Sequence, residues 1–192
     1  MITTLPVFMK YILTFLISMV PIIELRGAIP VAESLKLNIF LYYPIAIIGN
    51  ILPVPFIFLF ARKVLECGKN KKIIGKFFTW CLDKGTKGGE KLKESAGNKG
   101  IFWALLIFVG IPLPGTGAWT GTLAASFLNL DFKTSITAVS LGVILAGLIM
   151  SLGSKFVALL GWTGLLILIA IIALIILGSI IIKKKRKKSG IN

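Results

Sequence analysis

Histidine is absent from this chain, and acidic residues are scarce: seven against 22 lysines and arginines in 192 residues. Without imidazole there is no histidine general base and no histidine metal ligand. There are two cysteines, Cys67 and Cys81. Their spacing matches no metal motif, and both fall in a basic stretch expected to stay reduced. No metal and no cofactor is therefore expected. No nucleophile elbow or other catalytic constellation is present either, so the chain is read as not an enzyme. Charge is thin overall, at 15% of residues. A soluble domain of this length would carry more.

Apolar residues fill the space instead. They make up 56% of the chain, and the mean hydropathy is +0.94. This is the composition of a polytopic membrane protein. The net charge of +15 is clustered. Arg62 to Lys99 holds eleven basic residues, and the tail from Lys183 to Lys188 holds six. Bases that flank apolar spans follow the positive-inside rule, so nucleic acid is not an expected partner. Loop 62–100 and the tail are both expected in the cytoplasm, and the protein in the cell membrane as a multi-pass chain.

The stretch Gly110-Ile-Pro-Leu-Pro-Gly-Thr-Gly-Ala-Trp-Thr-Gly121 lies inside an uncharged run from Gly100 to Leu130. That run is long for one span of about 20 residues and short for two. Pro112, Pro114, Gly115, Gly117 and Gly121 interrupt it where no straight helix continues. Two half-helices folded back on themselves fit both facts, with Thr116, Trp119 and Thr120 at the tip. Broken backbone at membrane depth is tolerated where it lines a cavity or is buried in protein. Thr116 is a candidate cap for the helix that follows.

A second break runs from Pro21 to Pro30 and holds Glu24, Arg26 and Gly27. Pro30 suits the first position of a new helix, with Glu33 in its first turn. Glu24 and Arg26 would not face each other on a helix, but would share a side in an extended stretch. Leu37 to Ala61 is long enough to span, kinked by Pro44, Pro53 and Pro55. Lys72 to Leu82 reads as a basic amphipathic helix, and Gly85 to Gly100 as a mobile linker in which Gly85 tolerates a side chain. Thr134 to Ser154 is a second span, with Ala138, Gly142 and Ala146 as a small-residue packing stripe. Phe156 to Ile182 is a third.

The fold expected is all-α. Residues 1–61 and 101–155 form two inverted repeats, each a re-entrant broken-helix hairpin followed by a transmembrane helix. Loop 62–100 joins them, helix 156–182 is extra, and 183–192 is a basic tail. All belong to one membrane domain. Whether residues 5–20 span or re-enter stays open, and with it the side of the N-terminus. Broken apolar segments at matching places in two halves point to a transporter site.

With both motifs in hand, the chain resembles the small multi-drug export protein family over residues from about 8 to 155. More distantly it is similar to the DedA-like membrane proteins, which carry two opposed re-entrant hairpins. The first resemblance implies an exporter. The second implies movement of lipid phosphates across the bilayer. In DedA-like proteins the second hairpin carries arginine; here Glu24, Arg26 and Glu33 all lie in the first.

The leading expectation is a small ion- or proton-coupled exporter, with Glu24 or Glu33 titrating and Arg26 beside the path. Its substrate would be small and amphiphilic. The alternative is a lipid-phosphate translocase, with Arg26 and the half-helix N-termini around the headgroup. The third is an assembly factor whose basic loop recruits a partner, and which would fail on loss of residues 85–99. Membrane lipids are expected partners, and a homodimer is allowed.

Overall fold

The computed structural model describes residues 5–69, 75–113, 115–157 and 159. The expected third span from Phe156 to Ile182, the basic tail and Pro114 lie wholly or almost wholly outside these. Met1–Ser151 forms one compact unit and Leu152–Asn192 a second. All packing described below is within the first.

The described residues form helices and no strands. In order they are α1 (Val7–Met19), α2 (Glu24–Ser34), α3 (Ile39–Ile51), α4 (Pro53–Lys69), α5 (Gly75–Gly110) and α6 (Ala118–Phe127). A further helix, α7, runs over Phe132–Val157. Among the described residues two stretches are long and apolar enough to cross a membrane: Ile39–Val64, made of α3 and most of α4, and α7. Helix α1 has 13 residues and is about 20 Å long, short of the roughly 30 Å of a hydrocarbon core.

The first break is shorter than the prolines suggest. The chain leaves helix only over residues 20–23, and α2 starts at Glu24 with Pro30 inside it. Pro30 costs the helix one bond to the Arg26 carbonyl. Packing offsets this. Leu25, Ala28, Ile29 and Ala32 recur at helical spacing and are all fully buried or within 1% of it, while Pro30 faces outward. Glu33 consequently sits in the last turn of α2, not the first turn of a new helix.

The stretch from Gly85 is not a linker. It is helical on both sides of a kink at Gly97, where φ 62 and ψ 179 divide α5 into two helices. A side chain on Gly85 would overlap the Phe127 carbonyl, and one on Gly89 the Leu128 carbonyl. These glycines lie four apart on one face. They admit the turn after α6 at backbone distance. Their composition signals flexibility, but their use is close approach. Of the expected amphipathic helix, residues 72–74 lie outside the described residues; from Gly75 the chain is helical and Cys81 is buried.

The halves share a local backbone pattern. Leu37 N donates to Ala32 O, and Leu130 N to Ala125 O. Lys36 N donates to Glu33 O, and Asn129 N to Ser126 O. Each pair is displaced by 93 residues. Lys36 and Asn129 both take positive φ, at 55 and 53, which is the left-handed end of a helix. Asn38 then caps α3 through Phe40 N, and Asp131 caps α7 through Thr134 N. The spans Ile39–Val64 and Phe132–Val157 keep the same displacement.

The spans run antiparallel. Tyr43 Oη donates to Ile144 O near one end, and Phe58 meets Phe132 edge-on at the other. The core between them holds Tyr42, Ala46 and Val54 against Val139, Val143 and Ala146. Ala138, Gly142 and Ala146 are all buried. A side chain on Gly142 would press on Val109 and the Leu106 carbonyl of α5. The small-residue stripe thus brings α7 onto α5.

Candidate functional site

The two breaks meet each other. The first is a tight turn in which Ile22 and Glu24 adopt φ of 73 and 50. Such angles are rare for residues with a β-carbon and mark local strain. Glu24 N donates to Val20 O at 3.0 Å, closing the turn. The turn drives the Glu24 side chain inward, where it is 2% exposed.

Its carboxylate binds the start of α6. Oε1 accepts from Trp119 N at 3.0 Å and Oε2 from Ala118 N at 3.3 Å. These N–H groups have no partner inside their own helix. The helix dipole favours an anion there. Gly117, at the N-cap, offers no side chain of its own. The cap therefore comes from 94 residues away. Thr116 does not cap α6 as its position suggests. Its hydroxyl lies 2.8 Å from Ile111 O and 2.9 Å from Leu113 O, folding the second break on itself.

Arg26 completes the cluster. Nη1 donates to Glu24 Oε2 at 2.7 Å, and Nη2 donates to Thr116 Oγ1 at 3.0 Å. Glu24 and Arg26 are not in an extended stretch; both lie in the first turn of α2. The left-handed φ at Glu24 and the length of the arginine side chain let them meet across two residues. Arg26 Nε is buried with no partner. Hydrogen bonds to charged groups contribute roughly 1.5–3 kcal/mol each, so this junction is strongly held. Trp119 adds a tie to α1, its Nε1 donating to Met19 O at 3.2 Å.

Glycines make the approach possible. A β-carbon on Gly117 would sit on the Glu24 carboxylate, and one on Gly121 would press on Val109 of α5. Gly115 has φ +83, a conformation that favours glycine.

The structure thus brings Glu24, Arg26, Thr116, Gly117 and Trp119 together. The remaining tip residues are spread around them. Pro21 is exposed beside the first turn and Pro112 half-buried in the second. Thr120 is exposed, and its hydroxyl donates to Gly117 O at 3.1 Å. Gly27 lies against Ile23, and Pro30 is off the junction on α2.

Glu33 is elsewhere. It lies about 13 Å of helical rise from Glu24, and it accepts from the buried Tyr42 hydroxyl at 2.6 Å. Sequence carried no signal for that pair, nor for the Trp119–Met19 tie. Among the described residues no group of three or more Asp, Glu, Cys or His residues could hold a metal.

Chemically, the junction is an anion cradle. One arginine and two helix-terminal N–H groups hold a carboxylate supplied by the chain itself, and the Thr116 hydroxyl holds the arginine. Protonating that carboxylate would remove the charge that Arg26 and the α6 terminus both hold.

A family model described as "Putative small multi-drug export protein" matches residues 24–149. The match opens at Glu24 and takes in the whole of the second break. No curated protein and no solved structure matches.

Proposed function

The chain belongs to the small multi-drug export protein family, and on that premise we propose that it is a proton-coupled membrane exporter gated where the two breaks meet. The observation that carries the proposal is the Glu24 carboxylate. It is buried at the meeting of two broken apolar segments, and it joins them by accepting from Ala118 N and Trp119 N. Each half has an apolar helix, a break, a short helix, a left-handed turn and a capped span. We read these halves as inverted repeats, with α1–α2 and the α5–α6 stretch re-entering from opposite faces. The antiparallel spans and the shortness of α1 support this. The basic clusters favour the cytoplasmic side of the membrane for residues 62–100.

In this mechanism, protonation of Glu24 frees Arg26 and the α6 N-terminus. The tips part, and substrate passes between them. Release of the proton restores the carboxylate's charge and re-latches the junction. Transport, not catalysis, is the activity. The test is efflux from liposomes under a pH gradient. Glu24→Gln keeps the shape but cannot ionise. It should fold, and its transport should lose pH dependence. An unchanged pH profile in that variant would sink the mechanism.

One observation favours a second reading. The donors around Glu24 are those that would hold a phosphate group, so a lipid phosphate could take the place of the carboxylate. Lipid-phosphate flip in the absence of a pH gradient, lost in Arg26→Lys, would select that reading. The planar fork of arginine grips two oxygens where lysine offers a point charge.

A further inference from the structure

Helices α4 and α6 frame an apolar groove that the junction does not use. Ala61 and Val64 of α4 and Leu123, Ala124 and Phe127 of α6 line a cavity of about 580 Å³. Its walls carry almost no polar atoms, and it is open to one side. Val64 and Leu123 on those walls are 51% and 44% exposed. The volume falls within the roughly 300–1,000 Å³ of small-ligand sites. The two helices are firmly joined beside it, where the buried Ser126 hydroxyl donates to Phe58 O at 2.8 Å. The groove is thus held open by a fixed contact, and the small side chains of Ala61 and Ala124 leave its space.

Charge sets its level. The uncharged run of the span Ile39–Val64 ends at Arg62 and Lys63, so the groove begins where hydrocarbon meets headgroups. On a helix these two residues flank the face made by Ala61 and Val64, one to each side and about 100° away. Their stems can follow apolar surface while the charged ends stay at the headgroup level. Arg62 Nε donates to Glu66 Oε1 at 2.9 Å. The Arg62 Nη groups and the Lys63 ammonium have no ion-pair partner among the described residues. An apolar groove with cations at its rim suits an amphiphile with an anionic head. A zwitterionic headgroup brings its own cation to the same rim.

We propose that the α4–α6 groove holds one acyl chain of an anionic phospholipid, with its phosphate between Arg62 and Lys63. The site is separate from Glu24. It rests on the membrane location of the chain and not on the export reading.

The test is the melting temperature of the purified full-length protein in a neutral detergent. It is titrated with phosphatidylglycerol or with phosphatidylcholine of the same acyl chains. A ligand that binds the folded state raises the melting temperature. Phosphatidylglycerol should raise it further than phosphatidylcholine, by at least about 2 °C. Arg62→Gln combined with Lys63→Gln should remove that excess. Lys133→Gln, at the same end of the spans but on α7, should keep it. Ala124→Leu fills the groove from an exposed position, so it should fold and lose the excess. Glu66→Gln removes a competing carboxylate and should enlarge it. Equal rises with the two lipids in the wild type would overturn the site. An equal loss in Lys133→Gln would overturn it too, leaving only a general attraction to basic surface. So would an undiminished excess in Ala124→Leu, which would leave a headgroup contact with no acyl chain in the groove. None of these results touches the Glu24 mechanism, since that is read by pH-driven efflux.

Discussion

Gly117 has an extended backbone, with φ −78 and ψ −173, that any residue adopts. What it lacks is room. Its missing β-carbon is where the Glu24 carboxylate lies. Gly117→Ala must push that carboxylate off Ala118 N and Trp119 N. The loss should be on the order of 2–4 kcal/mol, the scale of one or two charge-assisted bonds. In a Glu24→Ala background the obstacle is gone, so the same substitution should cost little. A double-mutant cycle by thermal melts checks this. Additive effects would mean that the two residues do not touch. Asp131 offers a second test at this scale. The Thr134 backbone N–H, then the Thr134 hydroxyl, holds its carboxyl below the usual carboxylate range. A depressed folded-state pKa contributes stability above the unfolded value of about 3.9. That stability is lost as pH falls through the folded value. Asp131→Asn should therefore melt lower than wild type near neutrality, and the gap should close below about pH 4.

Helix α5 shows why an element cannot be judged by its composition alone. Its glycines are poor helix formers, at about 1 kcal/mol each relative to alanine. They persist because α5 must meet the turn after α6 at backbone distance. The consequence differs from one glycine to the next. Gly88 faces only the tip of the Leu128 side chain, at 3.1 Å, which can move. Gly89 faces the Leu128 carbonyl, which cannot. Gly88→Ala should leave the melting temperature nearly unchanged, while Gly89→Ala lowers it by several degrees. Equal effects would mean that α5 does not pack on that turn. The same contact changes how a loop deletion is read. Removing residues 85–99 would strip packing from α6, so loss of function in that deletion would not identify a recruiting loop.

For the molecule as a whole, the proposed inverted arrangement would place the two left-handed turns on opposite sides of the membrane. On that proposal the turn at Lys36 lies outside and α5 around Lys87 inside. A cysteine at Lys36 should react with an impermeant maleimide added to intact cells. A cysteine at Lys87 should react only after lysis. Labelling of both from outside would discard the inverted topology and the gating drawn from it. The structural repeat underlies this prediction. Its displacement of 93 residues appears in turn bonds, caps and span limits together. The pairs Lys36 and Asn129, or Asn38 and Asp131, share a backbone role without sharing identity. The repeat is therefore faint as letters and plain as hydrogen bonds.

Sequence by itself determined the class. Long uncharged runs and clustered bases dictate apolar helices, because backbone in hydrocarbon must satisfy itself. Prolines and glycines in mid-run dictated that two of those helices break, and both breaks are there. The sequence could not say how far the first break extends. Proline removes one bond, and whether a helix survives that loss depends on burial of Leu25, Ala28, Ile29 and Ala32 against other segments. Nor could it choose the partners of charge. Glu24 and Arg26 were legible as a pair that had to be neutralised. That α6 presents its free N–H groups to them, 94 residues on, follows only from the packing that brings the two breaks together. Gly117 was legible as part of a break, whereas Gly85 and Gly89 read as linker glycines. Tertiary structure alone decided that the Glu24 carboxylate arrives at the first and the backbone after α6 at the other two.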